Sequence, residues 1–419
     1  MNLQSLKSLK QNEVLFFTRF TKDKKTFFEL YYSKILKYFD DFQSYQTISE
    51  YKSKNSIYID LYKYLNEELT PQEQVILERV LNYNEVISRC RGLRVISHSE
   101  SIRLINSCTK FFINFFKENN YKLIVSIGVD NYVTDIMTKV GQYYGVKSYG
   151  IANFFLYPKY QLMTVYGENN DIRTPSNDEV EDIYNFLSEA NASPLAFSRG
   201  KALRFVTRVF ISYYYRYIVR YLIKYKIFGN IEYEYRFAKH MKLFHNLFQI
   251  FNFRFFDKVN LENLKYSSEK YVYMPLHFYP ENTIDYWTNV PIESSYLEEI
   301  LRVIKHFESK GVTVVLKEHP AFYLSREIHF YKKIKENKNV KLLAPFVTTQ
   351  TVLKYIKNVV VWNGSSGVEA IFLGAKVSVV CENYYSKDLI SINSSENANE
   401  LTVRSKKELI RYILQSTID

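Results

Sequence analysis

Cysteine, glycine and proline are all scarce, with 3 Cys, 12 Gly and 9 Pro in 419 residues. The cysteines, Cys90, Cys108 and Cys381, are odd in number and far apart, so neither a disulfide framework nor a thiolate metal site is expected. A reducing, cytoplasmic setting is the expectation. No run of about 18 uncharged apolar residues occurs and residues 1–11 contain no apolar h-region, so neither a membrane span nor an export signal is expected. No Asp-x-Asp motif and no His/Cys cluster with ligand spacing is present, so no metal and no cofactor are predicted. The pattern of a Walker phosphate loop is also missing.

What is there is globular. Hydrophobic residues make up 47% and charged residues 24%, which excludes a disordered or fibrous chain, and the length suits two or three domains. The formal net charge of +12 favours an anionic partner, although an AT-rich coding sequence, which also enriches Tyr, Phe, Lys, Asn and Ile, produces the same surplus.

Three zones differ in texture. Residues 1–167 contain strand-like runs at 13–20, 93–97 and 121–128, a helix over 99–119 with Ser99 as cap, a helix over 130–144 and a strand over 146–154. Residues 168–268 form a helical, aromatic and basic connecting region. Within it, Arg204, Arg208, Arg216, Arg220 and Lys224 recur at multiples of four in the acid-free stretch 199–226. This stripe suits a surface resting on anionic lipid, and equally a solvated basic face whose aromatic side packs on a neighbouring domain. No nucleic-acid recognition motif accompanies it, and no nucleic-acid partner is expected. Residues 269–400 restore the alternation, with strands at 271–277, 312–317, 340–343, 358–362 and 376–381 separated by helices at 294–309, 324–336, 348–355 and 365–373. That rhythm predicts a doubly wound α/β domain. Residues 401–419 carry a closing helix with Ser405 as its cap.

In such a sheet, ligands bind beyond the carboxyl ends of the strands. Three loops of the third zone qualify: one with His277 and Glu281, one with Lys317, Glu318, His319 and Pro320, and one with Gly364, Ser365, Ser366 and Gly367 leading to Glu369. The last suits a phosphate, held by serine hydroxyls and free N–H groups, and also suits an ordinary serine cap. His319, held in an extended exit by Pro320, can donate to a departing phosphate oxygen, as imidazolium or as neutral imidazole, or it can be structural. A His-Pro and a Gly-Ser-Ser-Gly at two strand ends of one sheet point together to a phosphorylated ligand.

The segments YVYMPLHFYPE, VVLKEHP and VVVWNGSSGVEAIFLGAKV resemble the capsule polysaccharide biosynthesis family of bacterial glycosyltransferases, over roughly residues 271–380. The resemblance implies a GT-B fold, in which two Rossmann-like domains face a cleft. It implies that His319, Ser365 and Ser366 hold the phosphate and nucleotide of a CMP-activated sugar, that Glu369 binds the ribose, and that His277 and Glu281 lie on the donor side. Ala375-Lys376 departs from the usual Lys-Pro. The expected partners are a nucleotide-sugar donor, a glycan or lipid-linked glycan acceptor and, through the basic stripe, an anionic membrane surface at the cytoplasmic face. An inverting transferase also needs a base from its first domain. Asp130 is the first candidate, with His98 and Glu100 in reserve. A CDP-glycerol or CDP-polyol phosphotransferase of the teichoic-acid type is the alternative enzyme, because it shares the Lys-x-His-Pro segment and the serine pair. A non-catalytic scaffold of a polysaccharide assembly complex is the alternative of a different class.

Overall fold

The computed structural model describes residues 3–18, 28–39, 44–50, 52, 56–154, 156–157, 159–189, 204, 207–208, 211, 223, 247–277, 282–288, 295–322, 326–386, 390–391 and 403–419. Glu281 and the stripe residues Arg216, Arg220 and Lys224 lie outside them. The strands, in chain order, are β1 (Val14–Thr18), β2 (Gln46–Ser49), β3 (Ile57–Tyr58), β4 (Leu123–Ile127), β5 (Lys147–Asn153), β6 (Gln161–Met163), β7 (Tyr271–Pro275), β8 (Thr313–Lys317), β9 (Val340–Leu343), β10 (Asn358–Val361), β11 (Lys376–Val379), β12 (Ile390–Ser391) and β13 (Thr417–Ile418). They make two sheets, and the chain divides into two compact units. One comprises Met1–Asn177, Asp285–Trp287 and Arg411–Asp419, the other Asp178–Ile284 and Thr288–Ile410.

The first unit holds the sheet β13-β6-β5-β4-β1-β2-β3, parallel from β5 through β3, with β6 antiparallel to both β5 and β13. Reading from β3 to β6, the order is the 3-2-1-4-5-6 of a doubly wound sheet, whose switch point falls between β1 and β4. Beside β4 stands the helix His98–Glu118, started by the Ser97 hydroxyl, which accepts the Glu100 N–H at 3.2 Å. It buries Leu104, Ile105, Cys108, Phe112 and Phe116, the recurrence of one helical face. Around β1, the ring of Phe16 lies 4.9 to 5.6 Å from those of Phe28, Tyr32, Phe39 and Tyr45, so much of the aromatic surplus here is core.

Three expectations are corrected here. The run 93–97 is no strand: Leu93–Val95 is a 3-10 turn, with Arg94 N–H bonded to Cys90 O and Ile96 N–H to Leu93 O, so its backbone groups close locally rather than on a neighbouring strand. The cap of the following helix is Ser97 rather than Ser99. Ser405 lies inside the closing helix Val403–Leu414 rather than at its start, and beyond that helix Thr417–Ile418 adds β13 to the first sheet.

The second unit holds the sheet β12-β11-β10-β7-β8-β9, parallel throughout. Its central strands β7, β8 and β10 are buried on both faces, hence runs such as TVVLK and NVVV. The helix Tyr296–Glu308 begins with a reciprocal capping box between Ser295 and Glu298 and packs Ile300, Val303 and Ile304 into the core formed with Met274, Val314, Leu316 and Trp362. Full burial of each such side chain stabilises by about 1.5–3 kcal/mol. From β9 to β12 the order is again 3-2-1-4-5-6. The switch point lies between β7 and β10.

Candidate active site

At the β7/β10 switch point the chain leaves β7 into Leu276-His277 and leaves β10 into Trp362-Asn363-Gly364-Ser365-Ser366-Gly367. These loops touch. A Cβ on Gly364 would sit 2.9 Å from His277 Cε1 and 3.2 Å from its Nε2, so only glycine lets the imidazole lie against the loop backbone. Gly367 is small for a different reason: a Cβ there would meet the Tyr385 hydroxyl at 2.5 Å and Val361 Cγ2 at 2.9 Å. Neither glycine is among those with positive φ, so close approach, rather than an unusual backbone angle, is what each provides.

Ser365 stands at the cap position of the helix Ser366–Phe372, but with helical backbone angles and no capping hydrogen bond from its side chain. Neither serine hydroxyl has a hydrogen-bond partner among the described residues. The ordinary serine cap is therefore not what these residues form. With only seven residues, that helix supplies little dipole, so the hydroxyls and loop amides are the available donors. Gly364 O closes the turn by accepting the Gly367 N–H at 3.0 Å, and the buried Tyr385 hydroxyl donates to the same oxygen at 2.7 Å. Tyr385 itself is set by the turn after β11, where its N–H bonds Asn383 Oδ1 at 3.0 Å.

From β8 come Lys317, Glu318 and His319. Lys317 ends the strand, buried, and the Leu276 N–H bonds its carbonyl at 2.8 Å, the last backbone link between the β7 and β8 exits. Burial pushes its ammonium down to about 8. Glu369, within electrostatic reach of Lys317, is pushed up by burial to about 7. The Glu318 carboxylate, fully buried, receives Arg326 Nε and Nη2 at 2.9 and 2.8 Å, the Tyr331 hydroxyl at 2.6 Å and the His319 N–H at 2.7 Å. It serves the architecture behind the site. Arg326 and Tyr331 carry no motif in the sequence, and the signal that finds them is the rule that a buried carboxylate requires a cation and donors nearby.

Both histidines are half-buried, and burial holds each imidazole down to about 3, with His319 and Arg326 adding to the effect at His277, and Lys317 and Arg326 at His319. That shift favours the neutral imidazole, an N–H donor, at both positions at neutral pH. A stability consequence follows. Between about 3 and 6.5 the unfolded chain binds more protons at these two positions than the folded chain, so stability falls as pH drops through that window. The slope is about 1.4 kcal/mol per pH unit for each histidine. Glu369, whose folded value lies above its unfolded one, works in the opposite sense between about 4.5 and 7 and offsets one of the two. In denaturant unfolding between pH 7 and 4, the double variant His277→Asn, His319→Asn should show a flatter acid limb than the natural protein. An unchanged slope would mean that the imidazoles are not held neutral.

Asp130 follows β4 at the switch point of the first sheet, with Arg91 Nη2 at 3.8 Å from Oδ2. It does not cap the next helix: Asn131 does, its Oδ1 accepting the Thr134 N–H at 2.9 Å. Of the reserves, His98 is exposed at the first position of its helix, and Glu100 is half-buried in its first turn. A cavity of about 580 Å³ in the first unit, beside Asn66, Arg103 and Asn106, is lined by none of the sequence-predicted residues. Among the described residues no three His, Cys, Asp or Glu side chains cluster as a metal site requires. Nor is any described helix long and apolar enough to cross a membrane.

The family model described as capsule polysaccharide biosynthesis protein matches residues 122–418. The chain belongs to this family. The match begins at β4, well upstream of the segments that carried the resemblance, and so takes in Asp130 as well as the loops after β7, β8 and β10 of this capsule polysaccharide biosynthesis protein. No curated protein is matched. Among solved structures, the chain is similar to the KpsC beta Kdo 2,7 transferase of Thermosulfurimonas dismutans, at 13% identity over 83% of this chain and 88% of that one, with a TM-score of 0.35. It is also similar to the KpsC beta Kdo 2,4 transferase of the same organism, at 11% identity over 71% and 79%, TM-score 0.37. A third similar structure is the UDP-GlcNAc 2-epimerase of Methanocaldococcus jannaschii, at 10% identity over 95% and 98%, TM-score 0.25.

Proposed function

We propose that this capsule polysaccharide biosynthesis protein is a glycosyltransferase of GT-B type. It moves a sugar from a nucleotide donor, a CMP-sugar in first place, to a capsular or other surface polysaccharide or its lipid-linked precursor. The observation that carries the reading is the contact of His277 with Gly364 at a sheet's switch point, beside two serine hydroxyls with no hydrogen-bond partner among the described residues. Such a group of neutral donors, with the Lys317 ammonium close by, suits a phosphate oxygen that gains charge as a glycosyl–phosphate bond breaks.

In this mechanism the acceptor hydroxyl oxygen attacks the anomeric carbon with inversion. The bond from that carbon to the phosphate oxygen breaks and its electron pair stays on the phosphate. Asp130 takes the acceptor's proton. His319 donates a hydrogen bond to the departing oxygen, Ser365 and Ser366 hold the phosphate, His277 and Glu369 lie on the donor side, and no metal takes part. Peripheral association with an anionic membrane at the cytoplasmic face, through residues 199–226, belongs to the same proposal. Arg204, Arg208 and Ile211 of that stretch are exposed.

Product analysis tests the reaction class. Incubation with CMP-sugar donors and a polysaccharide acceptor should give a glycoside and free CMP. A phosphodiester-linked product formed from a CDP-polyol would replace this reading with a polyol phosphotransferase.

A further inference from the structure

We infer that the buried ion pair Arg326–Glu318 is a positioning device that holds His277 and His319 as one unit, an inference that rests on the donor-side reading of these histidines. Its bonds reach both loops at once. Arg326 Nη2 donates to the His277 carbonyl at 2.8 Å as well as to Glu318 Oε1 at 2.8 Å, and that same Oε1 accepts the His319 N–H at 2.7 Å. The His277 N–H is tied as well, to the Tyr296 hydroxyl at 2.8 Å, and the Tyr296 ring lies 5.5 Å from the guanidinium. His277 thus has both backbone polar groups fixed by the same cluster.

The place in the fold explains the need. Backbone pairing between β7 and β8 ends with the Leu276 N–H on Lys317 O, one residue short of His277 and two short of His319. Beyond that point the planar guanidinium and the carboxylate take over from the sheet ladder, joining the two exits through side chains. Arginine is suited to this because its fork offers two parallel bonds to the carboxylate and a further donor to the carbonyl, which an ammonium on a flexible stem does not reproduce. A pair this deeply buried, with Arg326 3% and Glu318 0% exposed, gains little net stability over an apolar replacement of similar volume. Its contribution is geometry.

The test uses the full chain with its seven histidines labelled at Cε1, His277 and His319 being assigned through their own Gln variants. Arg326→Lys keeps the charge and removes the fork. In the ligand-free protein its expected effect is a shift of both the His277 and His319 ring signals, with the other five in place, and on titration a rise of about tenfold or more in the dissociation constant for CMP. Phe330→Leu is the control, because the Phe330 ring lies over the guanidinium at 4.6 Å yet makes none of these hydrogen bonds. At a comparable loss of melting temperature it should move neither signal. Tyr331→Phe, which removes the 2.6 Å bond to Glu318 and leaves the Arg326 fork in place, should move the same two signals by less and covers the case in which Arg326→Lys does not fold. Histidine signals that stay put, or that move equally in Phe330→Leu, would overturn the inference. A natural protein that binds no nucleotide would overturn the donor reading instead, and the ligand-free spectra would still decide the role of the pair.

Discussion

His319→Ala should lower sugar transfer by about 10²–10³-fold, the usual effect of removing one donor to charge that develops in a transition state. The loss should fall on kcat more than on the donor KM, because the bond strengthens as the phosphate departs. Stability at pH 7 should change little. The ring is half-buried and neutral, and the backbone N–H that ties His319 to Glu318 survives the substitution. Steady-state kinetics with a melting control decides it: activity within about threefold of the natural protein would remove His319 from the mechanism, and a melting temperature that collapses would make it architectural.

Glu318→Ala should be far more damaging to the fold. It leaves the Arg326 guanidinium buried beneath Phe330 and Tyr296 without its carboxylate, and removes the acceptor of the Tyr331 hydroxyl and of the His319 N–H. Breaking one side of a buried pair costs about 3–5 kcal/mol, against a net stability of about 5–15 kcal/mol for a typical domain. The two tryptophans allow the loss to be located, since Trp287 belongs to the first unit and Trp362 to the core of the second. In a Trp287→Phe background, urea unfolding followed by Trp362 fluorescence should show the midpoint falling steeply in Glu318→Ala. A midpoint within the error of the parent would mean that the carboxylate is not what keeps Arg326 in place.

The second sheet is legible because its central strands β7, β8 and β10 are buried on both faces and so read as short apolar runs separated by clear helices. The first sheet was only partly so. β2 is the polar run QTIS, β3 is two residues long and β13 is the tail dipeptide TI, so their strand character comes from pairing with neighbours rather than from local composition. The run after Gly92 misled in the opposite direction, its apolar residues marking a turn.

Position after a strand singles out His277, His319 and the Gly364–Gly367 loop in the sequence, and the structure places all three beyond strand ends of the second sheet. Glu318 shows where that reasoning stops, since alternation along a strand does not say whether a side chain looks into a crevice or into the core behind it. Tyr385 was hidden for a plainer reason: it is one of 38 tyrosines, and only the fold brings its hydroxyl to Gly364 O.

The measurement that tests the account most directly is thermal unfolding of the full chain against CMP, CDP, UDP, GDP and ADP. It would be run on the natural protein, on His319→Ala and on the double variant Ser365→Ala, Ser366→Ala. A nucleotide at about 100 times its dissociation constant adds roughly 2.7 kcal/mol of stability, which such a scan resolves. The account predicts selective stabilisation by CMP that is lost in the double serine variant and weakened in His319→Ala. A protein that melts cooperatively and is stabilised by none of the five would contradict it.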